Sequence, residues 1–230
     1  QSHNPKEKPM KNTPLVIFDM DGTMLDTEPI YRQGWKNATA AQGITLPAGE
    51  FERIFDQIIG KNYTNCRRVL STELPHLDFE KGYKACVAHK DGYVQNHGVP
   101  IKPGLFELLD KLETLGIQKC VATSTSKERA MHKLGIANIA HRFDVIVGGD
   151  EVEHGKPFPD IFMKAAALCG VPAQKYPDCL VLEDSAAGVE GGHRAGMTVA
   201  LIPDMLPPTE TMRCMANLVC KDLHEVAALF

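Results

Sequence analysis

Five short apolar runs, with stretches of helical character between them, constrain this chain more than any other feature. They are Leu15–Phe18, Lys119–Thr123, Asp144–Val147, Cys179–Glu183 and Thr198–Ile202. Runs of Val, Ile and Leu without polar alternation suit strands buried on both faces. Between them, Leu105, Leu108, Leu109, Leu112 and Leu115 recur at helical spacing and stop at Gly116. Helices are also expected over Asp160–Cys169 and Ser185–Ala195. Another is expected to begin at Thr125, where Glu128 three residues on would complete a capping box. Repeated strand–helix–strand units require a parallel sheet covered on both faces. The expected fold class is therefore α/β, a doubly wound, Rossmann-like core.

One segment breaks the pattern. Between residues 28 and 98 no strand is expected, and helical periodicity recurs. Pro29 suits a first helical turn, with Trp35, Ala38 and Ala41 following at helical spacing. Phe51, Ile54, Phe55, Ile58 and Ile59 form a second apolar stripe that ends at Gly60. Cys66, Val69 and Leu70 suggest a third helix, and Phe79, Tyr83, Cys86, Val87 and Val94 a fourth. The expected organisation is a lead-in over 1–12, a core formed by 13–27 with 99–230, and a small all-helical domain over 28–98. The lead-in is polar and aperiodic, and is expected to be flexible.

Composition narrows the partners. Lys+Arg 25 against Asp+Glu 29 gives a formal charge of -4, which offers no polybasic stripe for a duplex nucleic acid. No apolar run is long enough to span a bilayer. The seven cysteines include no Cys-x-x-Cys pair and sit mostly among apolar neighbours, as buried reduced thiols do. A cytoplasmic protein, monomeric or weakly dimeric, is the expectation.

In open parallel sheets, ligands bind beyond the carboxyl ends of the strands. There the sequence places Asp19 and Asp21 after the first run, Ser124 after the second, Gly155-Lys156-Pro157 beyond the third and Glu183-Asp184 at the fourth. Taken singly, each has an ordinary reading: Asp-Met-Asp-Gly-Thr as a turn, Ser124 as a helix cap, Lys156 as a solvated loop residue, and Glu183-Asp184 as acids at a helix start. Together they would bring several carboxylates, a hydroxyl and one cation to one edge. Carboxylates so crowded resist ionisation unless a cation joins them, and oxygen-only ligands favour Mg²⁺. One carboxylate could then attack phosphorus while the other serves as acid and base. Residues i and i+2 share a strand face, although the turn at Gly22 can take Asp21 off the line of Asp19.

These residues resemble the haloacid dehalogenase superfamily, in the branch of β-phosphoglucomutases and sugar-phosphate phosphatases. The likeness runs from Leu15 to Phe230. It rests on Phe18-Asp19-Met20-Asp21-Gly22-Thr23, Val121-Ala122-Thr123-Ser124, Gly155-Lys156-Pro157-Phe158-Pro159-Asp160 and Leu182-Glu183-Asp184-Ser185. The resemblance implies Asp19 as nucleophile and Asp21 as acid/base, with Ser124, Thr125 and Lys156 binding phosphate. It implies Mg²⁺ held by Asp19, the Asp21 main-chain carbonyl and Asp184, with Glu183 in support. The helical insert would be a mobile cap, and Lys61, Asn62 and Tyr63 in it would bear on specificity. Tyr31 stands where β-phosphoglucomutases carry His, and Tyr63 where they carry Arg. The Gly60-Lys61 turn and Ile202-Pro203-Asp204 look more like phosphatases.

The implied activity is Mg²⁺-dependent hydrolysis of a small phosphorylated metabolite, a sugar phosphate or nucleotide-like monoester, through an aspartyl phosphate. One rival is a β-phosphoglucomutase, separable by product analysis with β-glucose 1-phosphate. A rival of another class is a non-catalytic metabolite-binding module, whose signature would be loss of Asp19 or Asp21; both are present.

Overall fold

The computed structural model describes residue 10, residues 12–59 and residues 63–230. They divide into two compact units, one running to Met24 and resuming over Ile101–Phe230, the other formed by Leu25–Pro100.

The larger unit is built on six parallel strands: β1 (Leu15–Phe18), β2 (Gln118–Ala122), β3 (Val145–Val147), β4 (Leu180–Glu183), β5 (Thr198–Leu201) and β6 (Leu218–Val219). Their order in the sheet is β3-β2-β1-β4-β5-β6. The order reverses between β1 and β4, the place where doubly wound sheets open a crevice for ligands. Register is set by Ile17, which lies opposite Cys120 on one side and Val181 on the other. Leu15, Val16, Ile17 and Phe18 are all fully buried, as a central strand covered on both faces demands.

Two short strands illustrate how the ends are made. β3 starts at Val145 rather than Asp144, because the Asp144 carboxylate accepts a hydrogen bond from the Lys119 backbone N–H. β6 was not expected. It is two residues long, and Val219 is 45% exposed, so it offers no apolar run to read.

The helices of the larger unit are α5 (Leu105–Thr114), α6 (Lys127–Ile136), α7 (Asp160–Leu168), α8 (Ala186–Arg194), α9 (Glu210–Met215) and α10 (Leu223–Ala227). On one face, Ile161 and Phe162 of α7 and Val189 of α8 join Leu15, Ile17 and Val181 in a single apolar cluster. The adjacent glycines in α8 permit this approach. A Cβ on Gly192 would lie 2.8 Å from Val199 Cγ2, and one on Gly191 would lie 3.0 Å from the Phe162 ring. Helix α6 begins at Lys127, two residues later than expected, and the Thr125–Glu128 capping box does not form. The cap comes from elsewhere in the chain: Asp150 Oδ1 accepts from the Lys127 N–H at 2.8 Å. That leaves the Thr125 hydroxyl for another partner.

The smaller unit contains four helices among its described residues: α1 (Glu28–Ala41), α2 (Glu50–Asp56), α3 (Tyr63–Glu73) and α4 (Phe79–His97). Its core gathers Trp35, Phe55, Ile58, Leu70, Phe79 and Cys86. Trp35 is buried, and its ring centroid lies 5.7 Å from that of Phe79. Asp78 caps α4 by accepting from the Lys81 N–H, and Gln42 braces it through both backbone polar groups. Gly60, Lys61 and Asn62 lie outside the described residues. All seven cysteines are free thiols, five of them buried. Among the described residues no helix is long and apolar enough to cross a membrane.

Candidate active site

β1 and β4, the two strands at the reversal, deliver the acids. The Asp19 backbone N–H donates to the Leu182 carbonyl at 2.9 Å, so Asp19 sits level with the end of β4. Glu183 closes β4 and is fully buried, and Asp184 follows it. One carboxylate oxygen from each of Asp19, Glu183 and Asp184 lies within 4.8 Å of the others.

The loop before α7 brings Lys156 into this cluster. Its ammonium donates to Asp19 Oδ1 at 2.5 Å, Glu183 Oε1 at 2.6 Å and the Ala122 carbonyl at 3.0 Å. Three N–H bonds meet three acceptors, and the side chain is only 4% exposed. Burial alone would pull the Lys156 pKa down, but the charges of Asp19 and Glu183 together push it above the ordinary lysine value. The Asp19 pKa is raised as well, which for a carboxyl favours the neutral form. Burial and then the Glu183 charge push its carboxyl up, Lys156 only partly offsets them, and the net result is a pKa of about 8.

Glu183 is fixed from several directions. Its Oε2 accepts from the Asp184 N–H at 3.2 Å, the Ser185 N–H at 3.2 Å and the Ser185 hydroxyl at 3.0 Å. The same hydroxyl caps α8 by accepting from the Gly188 N–H at 3.1 Å. A Cβ on Gly188 would fall 1.8 Å from the Glu183 carboxyl carbon, so the helix start is shaped around this acid. Asp184 is placed in a similar way. Its Oδ1 accepts from the Thr23 hydroxyl at 3.1 Å. Gly22 has φ +91°, and a Cβ there would lie 2.3 Å from Asp184 Oδ2. The turn after Asp21 therefore needs glycine for its backbone angle and for the space beside Asp184.

Asp21 leaves the line of Asp19. Its Oδ1 and Oδ2 accept from Lys133 Nζ at 2.7 and 2.8 Å, and Oδ2 also accepts from the Thr125 hydroxyl at 2.9 Å. Thr125, read from the sequence as a phosphate-binding residue, is thus engaged with Asp21. Ser124 is exposed just past the end of β2. The structure brings Asp19, Lys156, Glu183 and Asp184 into one group, and Asp21, Thr125 and Lys133 into a second. Lys133 was not foreseen. The available signal was a lysine on the apolar face of α6, one residue before Leu134 and three after Ala130.

The other candidates fall elsewhere. Tyr63 belongs to the smaller unit, where its ring stands edge-on to Phe79 and Tyr83 and its hydroxyl donates to Glu80. Asp204, in the segment after β5, is paired with Lys102 through a side chain that is only 6% exposed. His193 is exposed on α8.

The acid cluster fits Mg²⁺. Its side-chain donors are all carboxylate oxygens, with no imidazole or thiolate among them. One of them, Asp19, is held by burial and a neighbouring charge in a state that a divalent cation would relieve.

A family model described as haloacid dehalogenase-like hydrolase matches residues 13–196. The chain belongs to this family. Among members of the haloacid dehalogenase-like hydrolases, it is 31% identical over 182 residues to the phosphorylated carbohydrates phosphatase of Thermotoga maritima, covering 79% of this chain and 81% of that one. It is 34% identical over 205 residues to a Drosophila melanogaster protein named as a probable pseudouridine-5′-phosphatase, covering 86% and 84%. Its fold is similar to that of a family hydrolase from Deinococcus radiodurans R1 solved with bound phosphate and sodium. That match has a TM-score of 0.76 and 24% identity, over 95% of this chain and 99% of that one.

Proposed function

We propose that the chain is a Mg²⁺-dependent phosphatase that hydrolyses a small phosphate monoester, a sugar phosphate or nucleotide-like ester, through an aspartyl phosphate on Asp19. The observation that carries this reading is the buried Asp19 carboxylate at the sheet reversal, bonded to Lys156 and within 4.8 Å of Glu183 and Asp184. The named phosphatases among its relatives support the reaction class.

Asp19, Asp184 and the Asp21 carbonyl would hold Mg²⁺, with Glu183 in support. The bound ion supplies charge neutralisation for the phosphoryl oxygens and for Asp19. An Asp19 oxygen attacks phosphorus, forming the P–O bond to the enzyme as the bond to the leaving oxygen breaks. Asp21 gives its proton to that oxygen and the alcohol departs. Water then attacks the aspartyl phosphate, its proton passes to Asp21, and inorganic phosphate leaves with Asp19 restored. Lys156 and the Ser124 and Thr125 hydroxyls offer donors to the phosphoryl oxygens, Lys156 by exchanging one of its three present bonds. None of these groups senses the rest of the ester. Selectivity is assigned to the helical unit, with Lys61, Asn62 and Tyr63 as its candidates.

A panel of phosphate esters assayed for phosphate release, with Mg²⁺ and with chelator, tests the reading. Release that needs both Mg²⁺ and Asp19 is expected, and Asp19→Asn should leave at most traces. Conversion of β-glucose 1-phosphate to its 6-phosphate isomer without net phosphate release would replace the phosphatase reading with a mutase.

A further inference from the structure

Lys133 is 5% exposed, in the last turn of α6 and on the face that also buries Ala130 and Leu134. A leucine or methionine would pack there without the cost of burying a charge. A buried ion pair is weak evidence of added stability, because desolvation consumes much of what the attraction returns. The pair therefore calls for another explanation, and its geometry supplies one. Lys133 Nζ bonds both oxygens of Asp21, at 2.7 and 2.8 Å, and Thr125 bonds one of them at 2.9 Å. Asp21 stands at the entry to a turn, directly before Gly22 with φ +91°. A short side chain in a turn has freedom about both of its torsions, and a two-oxygen clamp removes it.

We propose that Lys133 is the positioning residue for Asp21, setting the orientation from which this carboxyl serves the leaving oxygen. Lys133 neither touches substrate nor gives up a proton. It acts by confining Asp21, so that the proton transfers of the phosphatase reaction start from one geometry rather than several. The inference rests on the phosphatase reading and on Asp21 as its acid.

The role makes a distinction that a merely structural lysine would not. Protonation of the leaving oxygen matters greatly for an alkyl ester and little for an ester whose phenolate leaves unaided. The quantity kcat/KM reports only steps up to departure of that group, so slow breakdown of the aspartyl phosphate does not enter it. Lys133→Met is expected to lower kcat/KM for alkyl phosphates by roughly 30- to 300-fold, at or just below the low end of the range for losing a general acid, and for p-nitrophenyl phosphate by about 3-fold or less. Lys133→Arg should recover part of the alkyl activity. Asp21→Asn should show the same selectivity, with a larger loss.

An equal loss on both ester classes in folded Lys133→Met, or an unchanged ratio where Asp21→Asn changes it, overturns the proposal and leaves the phosphatase reading standing. If Lys133→Met does not fold, Lys133→Arg decides: a loss selective for alkyl esters supports the role, and a uniform loss or none refutes it. If the wild-type enzyme hydrolyses no ester, or Asp21→Asn shows no selectivity, the reading beneath the proposal fails and takes it down as well.

Discussion

Lys156 Nζ lies 2.6 Å from Glu183 Oε1, and the same nitrogen donates to Asp19, so one buried ammonium joins two acids that come from different strands. Lys156→Met leaves those acids facing each other without a cation. Breaking a buried pair in this way costs about 3 kcal/mol. We expect a loss of that size in urea unfolding with chelator present, partly recovered by Mg²⁺. An unchanged midpoint and slope would show that the acids are compensated by something else.

The raised Asp19 pKa predicts a pH-dependent stability with a definite sign. Between about 4 and about 8, native Asp19 holds a proton that the unfolded chain has lost. A carboxyl raised on folding supports the native state at low pH, and that support is lost as pH rises through the folded value. Without divalent cation, stability should fall with rising pH over this window, by at most about 1.4 kcal/mol per pH unit from this group. Mg²⁺ should oppose the fall, so the gap between Mg²⁺ and chelator curves widens toward about pH 8. Asp19→Asn should give a nearly constant gap. A wild-type gap that narrows with pH contradicts the assignment.

Gly188→Ala places a methyl group where the Glu183 carboxyl stands, at 1.8 Å. Helix α8 or Glu183 must shift, and overpacking of this kind costs about 1–3 kcal/mol. Because Glu183 also meets Lys156, the variant should weaken Mg²⁺ binding along with stability. Calorimetric titration checks the first effect and thermal unfolding the second. Wild-type Mg²⁺ affinity in a destabilised protein would separate the packing of Glu183 from the site.

Lys61 carries the specificity expectation drawn from the sequence. Lys61→Ala is expected to change the ranking of esters by kcat/KM, with a loss of about 1–3 kcal/mol for a preferred one, as for one hydrogen bond to a charged group. Mg²⁺ dependence should not move. Loss of equal size across large and small esters would assign Lys61 to stability or to the phosphate instead.

The sheet and the acid group were largely legible because their signals are local. Leu15 to Phe18 is an unbroken apolar run, and Asp19 follows it directly, so strand and carboxylate can be read together. Lys156 and Glu183 could be named, but their mutual bond could not, since it joins a loop to a strand end 27 residues away. The start of α6 was misread for a related reason. Thr125 and Glu128 have capping-box spacing, yet the cap is Asp150, and Thr125 turns to Asp21. Local chemistry proposed a partner, and a long-range contact supplied a different one. Lys133 escaped because a lysine in a helix usually extends to solvent, and only the fold sets its ammonium against an acid 112 positions away. Strand β6 escaped because two half-covered residues carry no period.

The central place of β1 bears on how the chain is made. Val16 pairs with Lys119 on one side and Leu180 on the other, so the earliest of the six strands lies between two that come much later. At ordinary rates of translation its first neighbour arrives roughly 5–20 s after it, and the second later still. Through that interval Leu15, Val16, Ile17 and Phe18 form a naked apolar strand with both edges unpaired, the kind of segment that aggregates or recruits a chaperone. The arrangement that sets Asp19 between two later strands also leaves β1 exposed until both β2 and β4 have been made.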